Sequence, residues 1–161
     1  MSPKLHVAAG AMGAGVIYMA TGSAGHAALF AAVEIGMDLD HVFDFALWET
    51  KKKTVKLFFK KGNPNSWKRM TYILHGHEWL AALVLASLWL DSGALAVAAM
   101  GMGTHLMMDE TGNRLPGKEV WINPWFYFFT YRALNGFLTS RISAPRMAEA
   151  LELKELQYGD G

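Results

Sequence analysis

The chain has 161 residues and a formal net charge of +1, enough length for one domain with a buried core and a balance that says little about partners. Hydrophobic residues make up 52% and charged residues 18%, richer and poorer than a typical soluble domain. There is no cysteine, which excludes disulfides, cysteine-based zinc fingers and thiolate chemistry.

An apolar, Ala/Gly-rich helix is predicted over Leu5–Ala20, broken by Thr21-Gly22-Ser23. Lys4 and the run after it resemble a signal peptide, but the run passes straight into a second helix, so no cleaved leader is expected. The second helix spans Ala24–Met37, with a continuation as far as Trp48 left open. Residues 51–69 form a basic, amphipathic loop with a Gly62-Asn63-Pro64-Asn65 turn. A third helix is predicted over Met70–Leu90, a tight Asp91-Ser92-Gly93 connection follows, and a fourth helix covers Ala94–Met108. Trp121 to Tyr131 is strongly aromatic, and Arg146–Leu156 reads as a last helix of mixed charge.

The fold class expected from this pattern is all-α: a helical membrane bundle of about four spanning helices, with an aromatic interfacial segment and a C-terminal amphipathic helix. Residues 1–161 are taken as one helical membrane domain, with 5–110 as the bundle and 117–161 as the interfacial and C-terminal part. The two short turns carry no Lys or Arg, whereas the N-terminus, the 51–69 loop and the C-terminal region carry all of it. The positive-inside rule then puts the protein in the cytoplasmic (inner) membrane with both termini cytoplasmic. Trp121, Trp125, Phe126, Tyr127 and Tyr131 would form an interfacial aromatic belt. Lys51, Lys52, Lys53, Lys56, Lys60 and Lys61, interleaved with Val55, Leu57, Phe58 and Phe59, suit membrane lipids with anionic head groups. Nucleic acid is not the expected partner, because no recognition motif accompanies the charge.

The polar residues of the apolar helices fall at one end of an up-down-up-down bundle. His6 opens the first helix; Glu34, Asp38, Asp40 and His41 close the second; His75, His77 and Glu78 open the third; His105 and Asp109 close the fourth. Imidazole with carboxylate is the ligand set of zinc, manganese or non-haem iron. The candidate metal ligands are His6, Asp38, Asp40, His75, His77, His105 and Asp109, for one or two divalent ions, zinc first and manganese or iron next. His105 and Asp109 share a helix face, as do Glu34 and Asp38. Two aspartates at a helix C-terminus face its partial negative charge, which a cation would offset if the second helix ends there. Glu78, three residues after His75 and one after His77, is the candidate catalytic base. His26 lies at the opposite end and reads as surface, and Asp44 and Asp91 read as solvent-facing.

The order of these motifs resembles the family of membrane-bound, metal-dependent hydrolases related to bacterial YdjM. That pattern has an early His, here His6; an Asp-x-Asp-His run, here Asp38-Leu39-Asp40-His41; a histidine opening the third helix, here His77 or His75; and a closing His-x-x-x-Asp, here His105 to Asp109. The resemblance covers roughly residues 5 to 110. It departs at Met37, where the family has Pro, and at Gly76 and Glu78, where Thr and Ser are usual. It implies a divalent metal site and hydrolysis of an ester or phosphoester, from a small-molecule or lipid substrate, at the cytoplasmic face. The alternative is a metal-binding or metal-transport module without catalysis.

Overall fold

A computed structural model of the chain describes residues 3–48, 69–114 and 124–142. Its elements are α1 (Pro3–Thr21), α2 (Ala24–Gly36), α3 (Leu39–Trp48), α4 (His77–Trp89), α5 (Gly93–Arg114), a 3-10 turn (Pro124–Tyr127), α6 (Phe129–Leu134) and α7 (Thr139–Ile142). None of the described residues forms a strand; Arg69 and Leu138 make an isolated antiparallel bridge. The chain divides into two compact units that alternate along the sequence: Met1–Leu39 with Leu74–Gly112, and Asp40–Ile73 with Asn113–Gly161.

The first unit is built from two helical hairpins, α1–α2 and α4–α5. Gly22, at φ +65°, and Ser23 turn the chain between α1 and α2. Ser23 then caps α2, its Oγ accepting from His26 N at 3.2 Å. Asp91, at φ +46°, makes the second turn. The core joins Ile17 of α1, Phe30 of α2 and Val97 of α5, with Leu29 packed against it. Absent side chains decide how near the helices come. A Cβ on Gly13 would overlap the Phe30 ring, and one on Gly101 would lie 2.9 Å from the Phe30 carbonyl oxygen. Helix α4 has no buried residue; Leu80 rests over Gly103 of α5, while Leu85, Leu88 and Trp89 are exposed.

The second unit is organised round the Thr71–Tyr72 backbone. Asp44 of α3, fully buried, accepts from Thr71 N at 2.6 Å and Tyr72 N at 3.1 Å through Oδ2. Arg132 of α6, also fully buried, donates to the carbonyls of Thr71 at 3.0 Å, Tyr72 at 2.8 Å and Phe126. The two side chains hold opposite edges of one peptide stretch and keep Tyr72 at φ +43°, a strained value for a side-chain-bearing residue. Burial pushes the Asp44 carboxyl above its ordinary pKa, and the two N–H groups oppose that.

Several expectations are corrected here. No helix among the described residues is long and apolar enough to cross a membrane. Helices α2 and α4 have 13 residues each, about 20 Å of helix against a hydrocarbon core of about 30 Å. Helix α5 has 22 residues but carries His105, Asp109, Glu110 and Arg114. The four-span membrane bundle and the integral inner-membrane localisation therefore do not stand. Asp44 is buried rather than solvent-facing, because two backbone N–H groups need its carboxylate. Phe126 and Tyr127, expected at an interface, are buried; Trp125 is exposed. The third helix begins at His77 rather than Met70, since the segment from 69 to 73 is held by Asp44, Arg132 and a Met70 N–Phe137 O bond of 2.9 Å. The second helix stops at Gly36 and α3 starts afresh at Leu39. The lysines at 51–61, Trp121 and the helix expected over Arg146–Leu156 lie outside the described residues.

Candidate metal centre

The candidate centre lies within the first unit. On α1 the buried residues His6, Gly10 and Ile17 fall on one stripe, so the histidine faces inward with the core. On α2, Phe30 and Glu34 are buried one turn apart. Asp38 lies in the two-residue turn between α2 and α3. His75 sits in the segment before α4, and α5 contributes His105 and Asp109, both buried.

Three imidazoles surround the Asp109 carboxylate. His6 Nε2 is 3.2 Å from Oδ1, His75 Nε2 is 3.3 Å from Oδ2, and His105 Nε2 is 3.6 Å from Oδ2. His75 Nε2 and His105 Nε2 are 3.0 Å apart, and Asp38 Oδ1 is 3.7 Å from His105 Nε2. The rings of His6 and His105 stack, centroids 4.0 Å apart and planes at 23°. His75 stands edge-on to His105 at 4.9 Å.

Glu34 closes the other side. His105 Nδ1 lies 2.6 Å from the Glu34 main-chain oxygen, and His6 Nδ1 is 3.0 Å from Glu34 Oε1. That carbonyl is in the last turn of α2, where helix geometry leaves oxygens without an internal partner. A carbonyl only accepts, so His105 Nδ1 carries the proton and its Nε2 has a bare lone pair. Glu34 Oε2 is buried without a hydrogen bond, 3.0 Å from where a Cβ on Gly10 would sit.

Burial pushes the His105 pKa down to about 4, helped by the neighbouring His75, so the ring is neutral near pH 7. Burial opposes charge on Asp109, but hydrogen bonds from His6 and His75 outweigh it and hold the carboxyl well below its usual range. Burial raises Glu34. His6 would be lowered by burial, but hydrogen bonds to Asp109 and Glu34 outweigh it and raise its pKa.

These residues fit a cation. His6, His105 and Asp109 offer ligand atoms within 4.8 Å of one another, all buried. Ligands about 2.0 Å from a tetrahedral centre stand about 3.3 Å apart. The separations among His75, His105 and Asp109, at 3.0, 3.3 and 3.6 Å, and the 3.7 Å from His105 to Asp38 straddle that edge. Buried His/Asp groups of this chain could therefore hold a metal ion.

Asp40 belongs to the second unit, buried in the first turn of α3, where the helix N-terminus favours its charge. The argument that it needs a cation at a helix C-terminus is thereby removed. His41 also belongs to the second unit, edge-on to Tyr72 at 4.5 Å. His77 pairs with Glu110 at 2.5 Å, both partly exposed. Glu78 is partly exposed in the first turn of α4, its Oε2 3.2 Å from where a Cβ on Gly76 would be. Sequence reasoning missed Glu110, because the fourth helix was ended at Met108 and no breaker stands before Gly112. It placed Glu34 among the converging polar residues and beside Asp38 on a helix face, but not among the metal ligands. The use of its carbonyl has no sequence signal.

Comparisons with family models, curated proteins and solved structures return no match.

Proposed function

We propose that this chain is a divalent-metal-dependent hydrolase of an ester or phosphoester bond, the activity implied by its resemblance to the YdjM-related family. The observation that carries the reading is the meeting of His75 Nε2, His105 Nε2 and Asp109 Oδ2 at separations of 3.0–3.6 Å, with Asp38 Oδ1 3.7 Å from His105 Nε2. Those four residues and His6, whose Nε2 is 3.2 Å from the second oxygen of Asp109, would hold one or two ions. Zinc suits a small imidazole–carboxylate set best, and manganese or iron share the ligand types. Such an ion, when bound, supplies Lewis acidity that polarises an ester oxygen and acidifies a water molecule. The Asp38 side chain is 25% exposed whereas those of His6, His75 and His105 are at most 2% exposed, so substrate would approach past Asp38. Glu78, partly open to solvent on the helix turn after His75, is the candidate to take up the proton at its carboxylate.

One observation favours a second reading. Every histidine of the cluster is almost fully buried, which suits a closed, metal-holding module without catalysis. Elemental mass spectrometry of the purified protein, followed by a panel of esters and phosphoesters with added Zn²⁺ or Mn²⁺, separates the two. Turnover that depends on metal supports the hydrolase. Bound metal with no turnover on any ester favours the module. Absence of metal after careful purification and reloading sinks both.

A further inference from the structure

Glu34 touches two histidines through two different groups. Its carboxylate Oε1 meets His6 Nδ1 at 3.0 Å, and its main-chain oxygen meets His105 Nδ1 at 2.6 Å. The rings are stacked at 4.0 Å with planes 23° apart, so they lie nearly parallel with their Nδ1 edges turned to the same residue. Their Nε2 edges turn together to Asp109, whose Oδ1 is 3.2 Å from His6 and whose Oδ2 is 3.6 Å from His105. A free imidazole can carry its proton on either nitrogen, and the wrong tautomer presents a donor where a lone pair is required.

We propose that Glu34 is the positioning residue of this centre: it fixes both His6 and His105 with Nδ1–H turned to itself and Nε2 turned to the ion, and it is not a ligand. This rests on the metal reading above. Glu34 lies on the edge of both rings opposite to the nitrogens that converge, and its Oε1 is already engaged by His6. Histidine ligands commonly give their second nitrogen to a carboxylate or a backbone carbonyl, and losing that partner costs about 10–100-fold in metal affinity. Here one residue at the end of α2 supplies both kinds of partner. The close approach this needs is provided by Gly10, where a Cβ would stand 3.0 Å from Glu34 Oε2, and by Gly101, where it would stand 2.9 Å from the Phe30 carbonyl.

The experiment has two arms on the full chain. Competition with a chelating dye measures Zn²⁺ and Co²⁺ affinity of wild type, Glu34→Ala, Glu34→Gln and His105→Ala, and the visible Co²⁺ bands report ligand geometry. Glu34→Ala should weaken binding about 10–100-fold and shift the Co²⁺ bands. Glu34→Gln, whose amide oxygen still accepts from His6 Nδ1–H, should restore most of the affinity and the wild-type bands. The second arm needs no variant: long-range ¹H–¹⁵N correlation spectra of the Zn²⁺-loaded wild type should show His6 and His105 protonated at Nδ1 and metal-bound at Nε2. Wild type that binds neither ion overturns the metal reading and this inference with it. Wild type that binds while Glu34→Ala keeps its affinity and bands overturns this inference alone. So does loss of metal in Glu34→Gln as complete as in His105→Ala, which would make Glu34 a ligand. So does metal on Nδ1 of either histidine, whether or not the variants fold.

Discussion

His105 gives its Nδ1 proton to the main-chain carbonyl of Glu34 across 2.6 Å, and the same ring sets Nε2 3.6 Å from Asp109 Oδ2. One hydrogen bond thus satisfies a free oxygen at the end of α2 and aims a lone pair into the cluster. The end of one helix and the middle of another are joined at the point where the chemistry is expected.

Truncating a donor should empty the centre. His105→Ala and Asp109→Ala are each expected to reduce bound zinc close to background, because each leaves the remaining groups one side short. His26→Ala, in the first turn of α2 beside Gly93, should keep it. Elemental analysis of the three variants beside wild type checks this; equal retention in all three would remove the centre.

Glycine substitutions should divide by what their Cβ would meet. Alanine in a helix interior is favoured over glycine by up to about 1 kcal/mol. Gly15→Ala meets nothing within 4 Å and should gain a few tenths to about 1 kcal/mol. Gly101→Ala places a Cβ 2.9 Å from the Phe30 carbonyl oxygen, which is backbone and cannot swing aside. Overpacking of this kind costs about 1–3 kcal/mol, so the sign reverses. Prising α5 from α2 would also stretch the His105–Glu34 bond and weaken Zn²⁺ binding. Chemical denaturation and zinc titration of both variants test the contrast.

The metal-free protein should lose stability as acid reaches His105. The folded-state pKa, lowered by burial to about 4, lies below the ordinary value of 6.5. Between those values the unfolded chain binds the proton and the folded one does not. This contribution is therefore fully present above pH 6.5 and is lost as pH falls towards 4, by roughly 3 kcal/mol in all. His6 acts in the opposite sense, its raised pKa placing its change above pH 6.5. Denaturation midpoints of wild type and His105→Gln between pH 7 and 4 should converge as pH falls. Parallel curves would show that His105 is not held neutral by the fold.

Arg132→Met should be among the most damaging changes in the second unit. It keeps an apolar stem but leaves the buried carbonyls of Thr71, Tyr72 and Phe126 without the donors they now have. Each orphaned acceptor costs about 1–3 kcal/mol, so a loss of at least about 3 kcal/mol is expected from denaturant titration.

Glu78→Gln tests the hydrolase assignment from the side of catalysis. The substitution keeps size and removes the base, and a general base typically contributes about 10²–10⁴-fold. The variant should keep its zinc and lose ester hydrolysis by that order. Unchanged turnover would remove Glu78 from the mechanism, and lost zinc would make it a ligand.

The sequence by itself marked the helical hairpins, through apolar runs closed by Thr21-Gly22-Ser23 and Asp91-Ser92-Gly93, because turn residues act locally. It also marked His6, Asp38, His75, His105 and Asp109 as chemistry-bearing, because polar groups in apolar helices are costly without a purpose. It could not tell His75 from His77, since two residues on either side of a helix start face different ways and only the fold gives one to Asp109 and the other to Glu110. Hydropathy and charge placement suggested spanning helices, but helix length is decided by where capping and long-range hydrogen bonds interrupt the chain. Asp44 and Arg132, far apart in sequence, delay α4 by seizing the Thr71–Tyr72 backbone. The role of Glu34 depends on a main-chain oxygen, which every residue has. Only the tertiary structure decides which carbonyl is left free at a helix end and which histidine comes within reach of it.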